Sequence, residues 1–342
     1  MGLALLAAVC FACWTITLKS IKKWRFELYF YDYAFGFVIL GVATGLLLGS
    51  VNSQELSMQD NLFLTGYRKM AYCVAAGFIF GAGNLLLAGA VSLSGMGVAF
   101  TISLGVALLI GAIRTAVTSP GNVMLDATGA GLVLLAIVVA AVSNRARHQD
   151  IRDSETNVAL QPDPRWKQGE RLPPPAGSLR GTLVAIASGL LLGASQPVLD
   201  ASRLGEDGIA PYGLGLFLAV GLLISAFLFS PFLCVFPLRG RTLRIRDYFK
   251  GGVSNHMLGL VGGMISAVGI LAGLLVWGAP ATAKAGASTI FGAQNATAVL
   301  AGAMGLLLWK EFEPATSRTR LLFLAALALF AAGVAVTAFG QS

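Results

Sequence analysis

The chain has 342 residues, of which 56% are apolar and only 12% are Asp, Glu, Lys or Arg, with a formal net charge of +8 and a mean hydropathy of +0.77. So few charges cannot clothe a chain of this length in a water-soluble surface, which excludes a soluble domain and points to an integral membrane protein. The positive balance needs no nucleic acid, because basic residues held on one side of a membrane account for it.

Apolar runs of about 20 residues, enough to cross a hydrocarbon core of roughly 30 Å, recur along the whole chain. They cover residues 2–18, 26–48, 67–90, 94–118, 121–143, 180–201, 210–236, 252–277, 281–309 and 319–340. The first starts at Gly2 with no basic n-region and no small-residue cleavage site, so it reads as a span and not as a removable signal peptide. The pattern predicts an all-α integral membrane fold of ten transmembrane helices. Nineteen of the 24 lysines and arginines follow odd-numbered spans. Because such residues are retained on the cytoplasmic side, both termini are expected outside, in an inner or plasma membrane.

Residues 144–178 are polar, carry "PDPRWKQGERLPPP" and lack hydrophobic periodicity, so they read as a flexible cytoplasmic linker. The linker separates a first half, 1–143, from a second, 179–342, each with five spans. "GLALLAAVCFACWTITLK" aligns weakly with "GTLVAIASGLLLGASQPVL", and "YAFG" at Tyr33–Gly36 with "YGLG" at Tyr212–Gly215. An odd number of spans per repeat inverts the second copy. Inverted repeats with a site at their interface are characteristic of secondary transporters.

In that alignment Pro211 stands where the first half has Asp32, so the carboxylate exists in one copy only. A charge within a span costs about 2.5–3.5 kcal/mol at the centre and normally faces a bundle interior or a wet cavity. A bland reading has Asp32 snorkelling towards the basic cluster at Lys19–Arg25. The functional reading takes it as a proton or substrate group, since Tyr29, Asp32 and Gly36 share one helical face. Counting ~1.5 Å per residue from each span's midpoint sets Thr17, Asp32, Asn84 and His256 at similar depth on the cytoplasmic side. Arg114, Gln196, Asp200 and Lys284 lie towards the outside, as a second cluster of gate residues or as interfacial side chains. Gln294 and Asn295, in "STIFGAQNAT", fall near the midplane. Pro197 marks a kink or break beside Gln196 and Asp200.

Catalytic motifs are missing. Cys10 and Cys13 form a CxxC inside an apolar helix with no second pair, a structural placement and not a metal site. Neither HExxH, GxSxG nor GxxxxGK[ST] occurs, which leaves no metalloprotease, serine hydrolase or ATP-driven pump. No enzyme, cofactor or metal is expected, and an ion gradient or the solute's own gradient must supply the driving force.

"CWTITLKSIKKWRFE", "FGAGNLLLAGAVSLSGMGVAFTISLGVALLIG" and "LLLWKEFEPATSR" resemble the corresponding stretches of bacterial L-rhamnose/proton symporters and related sugar-uptake permeases of the drug/metabolite transporter superfamily. The "YDY" of the second span and the "GN" of the third are also similar to plant ureide permeases. The resemblance implies ten helices in two inverted five-helix repeats and uptake, with protons, of a sugar or a nitrogen-rich heterocycle. The expectation is therefore a proton-coupled carrier of a small neutral polar metabolite, a sugar first. Asp32 is its coupling carboxylate, Trp14, Tyr29, Tyr33, Asn84, Gln294 and Asn295 are solute contacts, and Arg114, Gln196, Asp200, His256 and Lys284 are gate residues. Its partners are the solute, protons and the bilayer. A ureide or nucleobase permease, a drug or metabolite exporter or exchanger, and a membrane-embedded solute sensor are the alternatives.

Overall fold

The computed structural model describes residues 1–22, 24–49, 57–118, 122–159, 178–205, 207–278, 292 and 295–340. Gln294, Lys284 and most of the linker lie outside the described residues. All described elements are helical: α1 (Gly2–Ser20), α2 (Phe26–Leu47), α3 (Met58–Leu64), α4 (Tyr67–Ser94), α5 (Met96–Thr118), α6 (Val123–Ala159), α7 (Ser178–Arg203), α8 (Pro211–Val235), a 3-10 turn (Ile245–Lys250), α9 (Val253–Gly278), α10 (Thr297–Leu307) and α11 (Ser317–Gly340). Among the described residues nine helices are long and apolar enough to cross a membrane, and α10 is a shorter apolar helix at the end of the expected ninth span.

The helix ends meet at two levels. At one, Asn144 reaches Ser94 at 3.1 Å and Thr182 at 3.3 Å, and Asn255 bonds the Lys22 carbonyl at 3.1 Å. At the other, Asn61 bonds the Gly208 carbonyl at 3.1 Å and Arg114 pairs with Asp200. Successive spanning helices therefore run in alternate directions, and the first level, which carries the basic connections, is called the basic end. Outward-facing side chains such as Leu5, Ile39, Leu135, Val138, Phe227, Phe232 and Leu324 are exposed, which is what a lipid-facing belt requires.

Two expectations are corrected. The segment after Asn144 does not begin as a loop, since α6 continues as helix to Ala159. Its polar end is held by its neighbours: the Asp150 carboxylate accepts from the Thr316 backbone N–H at 2.9 Å and the Thr319 hydroxyl at 2.8 Å, at the start of α11. Arg147 lies 5.3 Å from the Phe312 ring. Side-chain pairing, invisible to a hydrophobic period, carries the helix past the apolar run. Likewise no break occurs at Pro197, since α7 runs as helix to Arg203. Pro211, by contrast, stands at the start of α8, where the missing N–H is no loss and the fixed φ is already helical.

The core is organised by two helix crossings. α9 packs mainly on α1 and α2, and α4 on α7 and α8. In the α2·α9 crossing, a methyl on Gly36 would run into the Leu260 carbonyl oxygen, and one on Gly263 into the Tyr33 carbonyl oxygen. In the α4·α8 crossing, Gly77 meets the Leu218 oxygen and Gly221 the Val74 oxygen in the same way. Each glycine thus faces the carbonyl of the residue three before its partner glycine. Only hydrogen side chains let the backbones approach so closely, the contact on which association in lipid depends.

Gly263→Val is expected to lower stability by at least about 2 kcal/mol, because backbone cannot yield as a side chain would. Gly111→Ala, where a methyl meets nothing within 4 Å, should be neutral or stabilising. Thermal unfolding in detergent measures both; equal unfolding temperatures for Gly263→Val and the parent would contradict the crossing.

Candidate functional site

Asp32 lies on the face of α2 that packs on α9, together with Tyr29 and Gly36. Gly259 lies against the Asp32 Cβ and Gly262 against the Tyr29 hydroxyl. The Asp32 side chain is 6% exposed. One oxygen is 2.8 Å from His256 Nδ1, and the other accepts from the Tyr248 hydroxyl. Tyr248 comes from the 3-10 turn, which Asp247 fixes by accepting from the Arg244 backbone N–H at 2.9 Å. Trp24 packs edge-on to His256 with ring centroids 4.7 Å apart, and Tyr248 does so from another side at 4.8 Å. Burial, and then the bond to Asp32, push the Tyr248 hydroxyl far above its ordinary range, so it remains a donor to the carboxylate.

Next to this pair, further from the basic end, is a sealed polar core. Asn84 Nδ2 donates to the Tyr33 hydroxyl at 2.5 Å, and that hydroxyl donates to Ser266 at 2.6 Å. Thr17 and the Tyr29 hydroxyl are 2.7 Å apart. Trp14 packs on Tyr33 with centroids 5.0 Å apart. Trp14, Tyr29, Tyr33 and Asn84 have no exposed surface at all. Trp14 Nε1 and Asn84 Oδ1 are buried with no hydrogen-bond partner among the described residues. The residues expected at one depth therefore fall into separate networks: Asp32 is held by His256 and Tyr248, whereas Asn84 bonds Tyr33 and Thr17 bonds Tyr29.

On the far side of this core a cavity of about 390 Å³ opens. Its deep wall is apolar, with Ala8, Phe11, Phe80, Leu104 and Leu192, and its other end carries Arg114, Gln196, Asp200, Arg203 and Trp277, with Asn295 and Thr297 at its side. Exposure rises in the same direction, from buried Phe80 and Leu192 to exposed Gln196 and Trp277. Asp200 is clasped by two guanidinium groups, Arg114 from α5 and Arg203 at 2.6 Å; the Arg203 group also lies 5.3 Å from the Trp277 ring.

Of the expected solute contacts, Asn295 lines the cavity, whereas Trp14, Tyr29, Tyr33 and Asn84 are fully buried and lie outside its lining. Arg114, Gln196 and Asp200, expected as gate residues, are cavity wall. The sequence reading overlooked Arg203, although Gln196, Asp200 and Arg203 follow the i, i+4, i+7 spacing of one helical face. It also overlooked Tyr248, for which a short basic connection gives no periodic signal, and Phe11 and Phe80, which look like any other apolar residue of a span. Among the described residues no group of three His, Cys, Asp or Glu comes together as a metal site.

No family model matches the chain, and no curated protein matches it. A solved structure described as "Crystal structure of protein" is similar in fold, with a TM-score of 0.52 and 16% identity over 99% of this chain and 96% of its own. At that identity the likeness concerns fold alone.

A double-mutant cycle of Arg114→Gln and Asp200→Asn should give a stabilising coupling of about 0.5 kcal/mol, kept small by the exposure of Arg114. Thermal unfolding of the four proteins measures it. Zero coupling would mean that the pair is incidental to the cavity wall.

Proposed function

We propose that the chain is a proton-coupled secondary transporter that takes up a small neutral polar metabolite, a sugar in the first instance, by alternating access. One observation carries this reading: a cavity of about 390 Å³ with an apolar inner wall lies in the same bundle as a fully buried polar core and a carboxylate paired with an imidazole between spanning helices. One half of the bundle is hollow and the other sealed. A carrier caught with its site open to one side has that form.

By the positive-inside rule the basic end is cytoplasmic and both termini are outside, so the cavity faces outward. The inverted five-helix repeat of this reading is supported by the two glycine crossings, which obey one rule, and by the matching packing of α1 and α2 on α9 and of α7 and α8 on α4. Asp32 belongs to one crossing only. A proton on Asp32 weakens its hold on His256 and so biases one of two otherwise similar arrangements. Asn84 Oδ1 and Trp14 Nε1 are then polar groups to be satisfied when the core opens or a solute reaches it.

A second reading is favoured by the deep wall. Phe11, Phe80, Leu104 and Leu192 offer no partners to a ring of hydroxyls but suit the faces of a flat heterocycle, as in a ureide or nucleobase carrier. Thermal-shift comparison of sugars with such heterocycles separates the two. Counterflow of labelled solute in proteoliposomes separates either from a sensor, which would bind without exchange.

The coupling role is tested with Asp32→Asn, which keeps the size and hydrogen bonding of the acid and removes its titration. The variant should exchange solute within about twofold of the parent rate yet lose accumulation driven by ΔpH, a change in energetics without a change in the path. Undiminished accumulation in reconstituted vesicles would remove Asp32 from the coupling step.

A further inference from the structure

Glu311, in the turn between α10 and α11, has a side chain only 4% exposed, and nothing in the proposed cycle uses it. Its carboxylate pairs with Lys19 in the last turn of α1. The same group accepts the backbone N–H groups of Met96 at 2.7 Å and Gly97 at 3.2 Å, the first turn of α5. The chain is shaped to admit it: Gly95 has φ +84, and a methyl on Gly95 or Gly305 would strike the carboxylate. Lys19 is further held 5.1 Å from the Trp309 ring. One carboxylate of the second half thereby clasps two helices of the first half, at the basic end and opposite the cavity.

Stability alone is a poor reason for such an arrangement, since a buried ion pair is often no better than apolar packing of the same shape. Its useful property is different. A carboxylate on a helix N-terminus and a lysine is strongly bound while buried, and each group is well solvated once water enters, so the contact has two acceptable states. α5 links the two ends of the bundle: its first turn is clasped by Glu311, and Arg114, eighteen residues or about 27 Å further along, forms cavity wall with Asp200 of α7. If the sealed half is to open, α1 and α5 must part from the α10–α11 turn.

We propose that Glu311, with Lys19 and the α5 N-terminus, is the inner latch of the carrier: it holds the basic end shut while the cavity is open opposite, and it is released when the sealed core opens. This rests on the alternating-access reading above. The latch is a positioning device and does not touch the solute.

Spin labels on cysteines introduced at the exposed residues Lys22 and Arg318, in a background lacking Cys10, Cys13, Cys73 and Cys234, report the width of the basic end in proteoliposomes. A second pair at Leu3 and Val117 reports the opposite end. The parent should show a short and a long distance at the basic end whose proportions move with pH and with added solute, in opposition to the other pair. Glu311→Gln should raise the long population roughly tenfold, as loss of a charge-assisted bond implies. Lys19→Met, which leaves Glu311 on the α5 N-terminus, should shift it in the same direction. If the parent responds to pH or solute but neither variant changes the proportions, the latch is disproved and alternating access stands. A single, unchanging distance in the parent across a panel of sugars, ureides and nucleobases would overturn the alternating-access reading and the latch with it.

Discussion

A carboxylate inside a membrane helix must find its partners before lipid can close around the bundle, and Asp32 sets that condition for this molecule. Its charge in hydrocarbon is costly, and a single donor would leave the second oxygen bare. His256 and Tyr248 satisfy both oxygens, but they lie on α9 and on the turn before it. The carboxylate is satisfied only when α2 and α9 are in register and the Ile245–Lys250 turn is folded over them. The glycines of the α2·α9 crossing make that register reachable, because they bring the two backbones into contact just beyond Asp32.

The other crossing, α4·α8, follows the same glycine rule without a carboxylate. In the proposed cycle, this difference between two otherwise similar crossings is what lets a proton favour one packing over another. The Tyr33 hydroxyl bonds Ser266 of α9 and accepts from Asn84 of α4, so the charged crossing is tied to the helix that makes the other one.

Much of this was written in the sequence. Apolar run lengths place eight of the ten spans to within about four residues of the helices, the fifth running on as helix and the ninth lying mostly outside the described residues, and counting along the helices puts Asp32 and His256 at one depth. The strip of Tyr29, Asp32 and Gly36 does face a partner helix. What failed to show has a physical cause in each case. The helical end of α6 is stabilised by pairs such as Asp150 with Thr316 and Thr319, and hydropathy is blind to these. Depth is one coordinate of three, so Asn84 and Asp32 were joined in one cluster although they bind different partners. Cavity walls such as Phe11 and Phe80 differ from core residues only in what is absent beside them. Glu311 and Tyr248 act from short connections, where no period exists to reveal a face.

In the proposed cycle the paired carboxylate links a proton to a movement of the bundle, and the most direct test follows protons and solute together. Reconstituted vesicles containing a trapped pH-sensitive dye and no imposed gradient should acidify inside as solute is added outside, at a rate that tracks solute entry and vanishes when solute is omitted. Solute entry with the internal pH unchanged would contradict the account, because the movement would then need no proton.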